Sequence, residues 1–383
     1  MVYLDNAATT RPFDEVTELV GKVMRQDFAN PSSLHHLGIQ AEEHLEKARQ
    51  ILADALQSTT GEIYFTSGGT ETNNMVIKGA ARAHQRKGKH IITSAIEHKS
   101  VLETCQALER EGYEVTRLPV DSNGMINLAS FEESLRDDTI LVSIMHVNNE
   151  TGVIQPIDRV NEILRDRHAR PLFHVDAVQS FGKTPLHPHP SGIDLLTLSS
   201  HKVHGPKGTG ALFRKQGVNL TPLLDGGAQE GGLRSGTENL PGIAGFGKAV
   251  QMNFNDVFEK QLHMGHLRNR LRKKITDAFE DVVVNTPDDP QAAPHILNVS
   301  FPGLQGEVLL RKLESAGIYV STGSACTSGK NKPSHVLQAM GRTRDVVQGA
   351  LRFSFSIMNS EEETDQVMEH LVPAVKRMRK MMG

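Results

Sequence analysis

From residue 41 to 56 the apolar positions Ala41, Leu45, Ala48 and Leu52 recur at three- and four-residue intervals, the spacing of one helix face. Glu62-Ile63-Tyr64-Phe65 follows as a short strand-like run, and beyond Ser67-Gly68-Gly69-Thr70 a second helical stretch extends through Ala81. Further strand-like runs lie at 90–94, 139–147, 171–175, 193–198 and 210–213, with helix-compatible segments between most of them. Such alternation predicts an α/β domain on a mostly parallel sheet. Ligands of such sheets bind beyond the carboxyl ends of the strands, so the residues just after each run are the candidates for chemistry.

After about residue 255 the texture changes. Leu267, Leu271 and Ile275 repeat every four residues, and 307–316 reads as a helix stopped by Gly317 before Ile318-Tyr319-Val320. The closing helix starts at Ser360-Glu361-Glu362-Glu363, a capping-box pattern in which Ser360 and Glu363 satisfy each other's free amides, and Val367, Leu371 and Val375 supply its buried face. This part predicts a smaller α+β domain. At 383 residues the chain is long enough for two cores.

Composition narrows the partners. A net charge of −3 gives no basic field toward nucleic acid or anionic lipid, so any bound anion needs a local site. No apolar run approaches the ~18 residues of a membrane helix, and the N-terminal segment lacks the basic and apolar blocks of a signal peptide. Cys105 and Cys326, the two cysteines, are too few for a disulfide framework or zinc site, and neither HExxH nor CxxC occurs among the 18 histidines and these thiols. The expectation is a cytoplasmic protein with reduced thiols and no metal. His187-Pro188-His189-Pro190 reads as an exposed loop rather than a ligand pair.

Three turns after strands carry candidate chemistry. Ser67-Gly68-Gly69-Thr70-Glu71-Thr72-Asn73-Asn74 joins a strand to a helix, where glycines and free N–H groups suit an anion, although an ordinary turn capped by Thr70 has the same pattern. It matches neither GxxxxGK[ST] nor GxGxxG. Asp176, in His174-Val175-Asp176-Ala177-Val178-Gln179, is costly to bury without a cation such as a protonated pyridine nitrogen; a helix N-cap is the alternative. Lys202 closes Ser199-Ser200-His201-Lys202 and is either a Schiff-base lysine or a solvated surface group. Cys326 lies among small residues bounded by Gly323 and Gly329, surroundings that suit a mobile thiolate, whereas Cys105 near Val101, Leu102 and Leu108 reads as packing.

The blocks LDNAATT, SGGTETNN, IEHK, HVNNETG, HVDAVQS, SSHKVHGPKG, GLRSGTEN and GSACTS, in order from residue 4 to about 353, resemble the NifS/IscS-like cysteine desulfurases. These are fold-type I, class V aminotransferase-like pyridoxal-phosphate enzymes. The segment TSGKNKPSHVLQAMG after Cys326 is similar to the branch with a flexible cysteine loop. The resemblance implies a large domain with a seven-stranded-type sheet over residues 16–257, and a small α+β domain from 1–15 and 258–383 that carries the cysteine loop. It implies pyridoxal 5'-phosphate joined to Lys202, with Gly69, Thr70, Ser199 and His201 on the phosphate and Thr237 reaching it from a partner subunit of a homodimer. Asp176 would meet the pyridine nitrogen, Gln179 the ring oxygen, and His98 the ring face. Asn149 and Arg352 would take the substrate carboxylate, though an arginine in a strand equally well bridges an acidic neighbour, and an isolated His98 would read as a loop histidine. The implied activity removes sulfur from L-cysteine to give alanine and a Cys326 persulfide, passed to an acceptor protein for iron–sulfur clusters or tRNA thiolation. A selenocysteine lyase, another class V enzyme, and a non-catalytic assembly scaffold are the alternatives. One departure stands out: after Arg352 the chain reads FSFSIMNSEEE, without the Gly-Arg usual after that serine.

Overall fold

The computed structural model describes residues 1–322 and 333–382. Its centre is a seven-stranded sheet in the order Ile63–Thr66, Gly210–Arg214, Leu195–Ser199, Leu172–Asp176, Thr139–Met145, His90–Ser94, Glu114–Leu118. Gly210–Arg214 runs antiparallel to both neighbours; all other pairings are parallel. The middle strands are buried on both faces, as their mainly Val, Ile and Leu runs require. All six strand-like runs of the sequence are strands, displaced by no more than a few residues. The seventh, Glu114–Leu118, is an edge strand with an exposed or half-exposed face.

Helix His36–Leu56 begins five residues before the expected stretch and ends where it was expected to, and Gly69–His84 extends the second stretch through Ala81 by three residues at its end. The core of the sheet includes Phe65, Val142, Phe173, Leu196 and Phe246, and Cys105 is fully buried in a neighbouring cluster with Val101 and Leu108. Burial pushes the Cys105 thiol up to about 12.

A separate core joins Val2 and Leu4 to Leu267, Leu271, Ile275, Val367, Leu371 and Val375. It rests on an antiparallel sheet of Ala350–Ser354, Ile296–Ser300 and Val283–Val284, while Val2–Tyr3 pairs in parallel with Ile318–Tyr319. The helix expected at 307–316 is Gly306–Glu314, and Gly317 follows with φ +76°, a left-handed turn that glycine adopts without strain. The capping box at Ser360 forms only in part. The Glu363 carboxylate accepts the Ser360 N–H at 3.1 Å, while the reciprocal bond from the Glu363 amide to the Ser360 hydroxyl does not form among the described residues. The His187–Pro190 stretch is a loop with His189 and Pro190 exposed, although Pro188 is buried and His189 bonds Glu62 at 3.1 Å.

Candidate active site

The carboxyl ends of the parallel strands open onto a cleft of about 610 Å³. Gly68 turns the chain out of strand Ile63–Thr66 with φ +147° and ψ 177°, then the first turn of helix Gly69–His84 lines the cleft. A Cβ on Gly69 would stand 2.8 Å from Val178 Cγ2, so only glycine allows this approach. The N–H groups of that first turn lack helical partners by geometry and favour an anion. Ser199, the last residue of strand Leu195–Ser199, lines the same cleft, and its buried hydroxyl has no hydrogen-bond partner.

Asp176 ends its strand 5% exposed. Its carboxylate accepts from Asn73 Nδ2 at 2.7 Å and from the Val178 N–H at 3.0 Å, two neutral donors. Asn73 also donates to the Ser100 hydroxyl at 2.8 Å, which lies 2.8 Å from His98 Nδ1. His98 caps helix Lys99–Arg110: its Nδ1 accepts the Ser100 N–H, so the ring proton rests on Nε2 in the neutral form. Burial holds the His98 pKa below its ordinary value.

Lys202 Nζ donates to the carbonyls of Ala7 (2.6 Å) and Ala8 (2.8 Å). The N-terminal segment thus runs through the site. Gln179 Nε2 donates to the Ala7 carbonyl at 2.8 Å, leaving its second amide hydrogen for another acceptor. The His201 ring meets the Thr9 hydroxyl at 3.2 Å; burial and then the charge of Lys202 push its pKa down to about 3. The functional weight of this segment escaped the sequence reading, because LDNAATT offers only Asp5 as a titratable group and works mainly through main-chain carbonyls.

Arg352, on strand Ala350–Ser354, is almost buried at the cleft's far wall. Its Nη1 donates to the Asn149 carbonyl at 2.7 Å and its Nη2 to Asp5 at 2.8 Å, so the acidic neighbour anticipated for a strand arginine is Asp5. The unusual FSFSIMNS stretch is well tied: Asn359 accepts the Ser356 N–H at 2.7 Å and donates to the Tyr3 carbonyl at 3.0 Å. Two further buried acids flank the site, neither singled out in the sequence. Glu97, beside His98, takes hydrogen bonds from Ser94 and the Met145 N–H, yet burial raises it to about 8. Glu150, beside Asn149, is raised to about 7 by burial.

The structure therefore brings Lys202, Asp176, His98, Gln179, Asn149 and Arg352 to one cleft with Gly69, Thr70, Ser199 and His201. Thr237 is exposed and lines a smaller cleft with Ser67 and Gly208, apart from this one. Cys326 lies outside the described residues. The glycine-paved helix start, the idle Ser199 hydroxyl and the buried Asp176 fit a phosphorylated pyridine cofactor.

A mostly parallel sheet with a lysine, a buried acid and an anion cradle at one cleft is the arrangement of an α/β enzyme that binds a phosphorylated ligand at its strand ends. The model of the family described as Aminotransferase class-V matches residues 2–367. The chain is 46% identical over 380 residues to the cysteine desulfurase IscS of Methanosarcina thermophila, covering 99% of this chain and 93% of that protein. It is equally 46% identical over 385 residues to the cysteine desulfurase IscS of Vibrio vulnificus (strain CMCP6), covering 99% and 94%. Among solved structures, a NifS-like protein superposes with a TM-score of 0.92 at 41% identity, covering 98% of this chain and 99% of that one. SspA in complex with cysteine gives 0.83 at 36%, covering 94% and 100%. The chain belongs to the cysteine desulfurase family of class V aminotransferases, a family of pyridoxal-phosphate enzymes.

Proposed function

We propose that the cleft binds pyridoxal 5'-phosphate on Lys202 and L-cysteine before it, and that sulfur leaves the substrate for the thiol of Cys326. The observation that carries this reading is the convergence of Lys202, Asp176 and the unpartnered Ser199 hydroxyl on one cleft. When bound, the cofactor supplies an electron sink for charge developing at the substrate Cα.

The chain's residues do the rest. Gly69, Thr70, Ser199 and His201 hold the phosphate, and Asp176 keeps a proton on the pyridine nitrogen. Gln179 spends its second N–H on the ring oxygen, and His98 covers the ring face. Lys202 would hold the cofactor and, as a free amine, would be placed to move a proton at the substrate Cα. Arg352 and Asn149 grip the α-carboxylate. The thiolate of Cys326 takes the substrate sulfur, so cysteine and a thiol become alanine and a persulfide, with atoms and electrons in balance. That SspA is seen in complex with cysteine supports this substrate.

The remaining assignments rest on the same reading. Residues 16–257 hold the cofactor, while 1–15 and 258–383 form the domain bearing the thiol, a division supported by the core that unites Val2 and Leu4 with Met264 to Met378. Thr237 completes the phosphate site of a second copy, consistent with its exposure and its distance from its own cleft. An acceptor protein collects the sulfur. Among the described residues no helix is long and apolar enough to cross a membrane.

The test is borohydride reduction of the cofactor-loaded protein, followed by peptide mapping. Pyridoxyl label is expected on Lys202 and absent from Lys202→Ala; label elsewhere, or on the variant, refutes the assignment.

A further inference from the structure

Arg352 and Asp5 form an ion pair at 2.8 Å, with side chains 4% and 22% exposed. The pair is built in from both sides. Asp5 bridges Ser354, two residues beyond Arg352 on the same strand: the Ser354 N–H donates to Leu4 O at 2.7 Å and the Asn6 N–H to Ser354 O at 3.3 Å. Asn6 Nδ2 reaches Asn359 Oδ1 at 3.2 Å, and Tyr3 OH reaches the Asp5 carbonyl at 3.3 Å. The carboxylate is therefore carried on main chain fixed to the strand that carries the guanidinium.

A nearly buried guanidinium needs a counter-charge whether or not substrate is present. Asp5 supplies it at Nη2 while the Asn149 carbonyl takes Nη1, so two anchors on opposite sides fix the plane of the fork. A planar fork grips a carboxylate well only when that plane is set beforehand. Among the described residues Arg352 Nε is buried without a partner, and the Asp5 and Asn149 bonds are the ones that hold the group.

We infer that Asp5 is the positioning residue of the substrate-carboxylate grip: it acts through Arg352 to aim the guanidinium, and it touches neither substrate nor cofactor. This rests on the assignment of Arg352 to the α-carboxylate. The alternative role is a purely structural staple between the N-terminal segment and the strand.

The experiment compares cofactor-loaded wild type, Asp5→Asn, Arg352→Lys and the double variant. KM and kcat are measured with cysteine, and binding of cysteamine, which lacks the carboxylate, is followed by the cofactor's absorbance. Asp5→Asn is expected to raise KM for cysteine at least tenfold, with kcat within threefold and cysteamine affinity within twofold. In the double variant the KM increase is expected to be no larger than that of Arg352→Lys alone, since both changes act on one grip. Asp5→Glu is expected to recover part of the loss. An unchanged or lowered KM in Asp5→Asn, or an equal loss for cysteamine, overturns the inference. If Arg352→Lys itself leaves KM for cysteine unchanged, the carboxylate assignment fails instead. Should Asp5→Asn prove too unstable, Asp5→Glu alone decides: a KM rise confined to cysteine supports aiming, and an equal effect on both ligands refutes it.

Discussion

The hydroxyl of Ser334 donates to the buried carboxyl of Glu150 at 2.5 Å and accepts the Leu337 N–H at 3.1 Å, capping the short helix His335–Ala339. One side chain thereby joins this helix to the residue beside Asn149. His335 adds a second tie through the Glu97 carbonyl at 3.0 Å. Ser334→Ala removes a cap and strips a buried carboxyl of its partner, losses of about 1 kcal/mol and about 1–3 kcal/mol. The expected result is a fall of about 2–4 kcal/mol in unfolding free energy by urea titration; a loss below about 0.5 kcal/mol would show that the link carries little.

Glu97 gives a pH dependence with a defined sign. Its carboxyl is raised from 4.5 to about 8 in the folded chain, so between those values the folded state binds more protons than the unfolded one. Stability from this group therefore falls as pH rises through that window. Glu97→Gln cannot ionise, so its stability relative to wild type is expected to improve steadily from pH 5 to pH 8. A difference independent of pH would contradict the burial argument. The Tm of both proteins across that range is the measurement.

Ser199 separates cofactor binding from folding. Its hydroxyl is buried without a hydrogen-bond partner from the protein, so Ser199→Ala should leave the apoprotein Tm unchanged or slightly higher. The same change is expected to weaken pyridoxal-phosphate affinity by roughly tenfold, the worth of one hydrogen bond to a charged group. Thermal unfolding of the apoprotein checks the first statement and titration with the cofactor the second, and an unaltered affinity would remove Ser199 from the phosphate site.

The two thiols should differ in reactivity. Cys105 is fully buried and its thiol lies at about 12, so it offers almost no thiolate near neutral pH. Native protein treated with iodoacetamide is expected to label at Cys326 alone, and Cys326→Ser to label only after denaturation. Rapid native labelling of Cys105 would show that its packing opens.

Much of this architecture was legible because the central strands are buried on both faces and therefore read as mainly apolar runs, broken only by Ser143 at 141–145 and Thr197 at 195–198. Glu114–Leu118 was not, since an edge strand with Glu114 and Arg117 exposed carries no such run. Lys202, Asp176 and the Gly69 turn were legible because each follows a strand. Asn73, which steadies Asp176, sits a turn inside a helix, where nothing in the sequence says which way it points. The Ala7 and Ala8 carbonyls are invisible to any side-chain reading, and the Asp5–Arg352 pair joins residues 347 apart in the chain. The cap at Ser360 shows the opposite error: the motif is present, but only its Glu363 carboxylate half forms.

The central claim is that sulfur from cysteine comes to rest on Cys326 through chemistry centred on Lys202. Mass spectrometry of the cofactor-loaded protein after one turnover with sulfur-34 cysteine tests it directly. The account predicts a heavy-sulfur persulfide on the peptide containing Cys326, one equivalent of alanine, and neither product from Lys202→Ala. Alanine with heavy sulfur on Cys105 or on no cysteine, or persulfide formed by the Lys202→Ala protein, would contradict it.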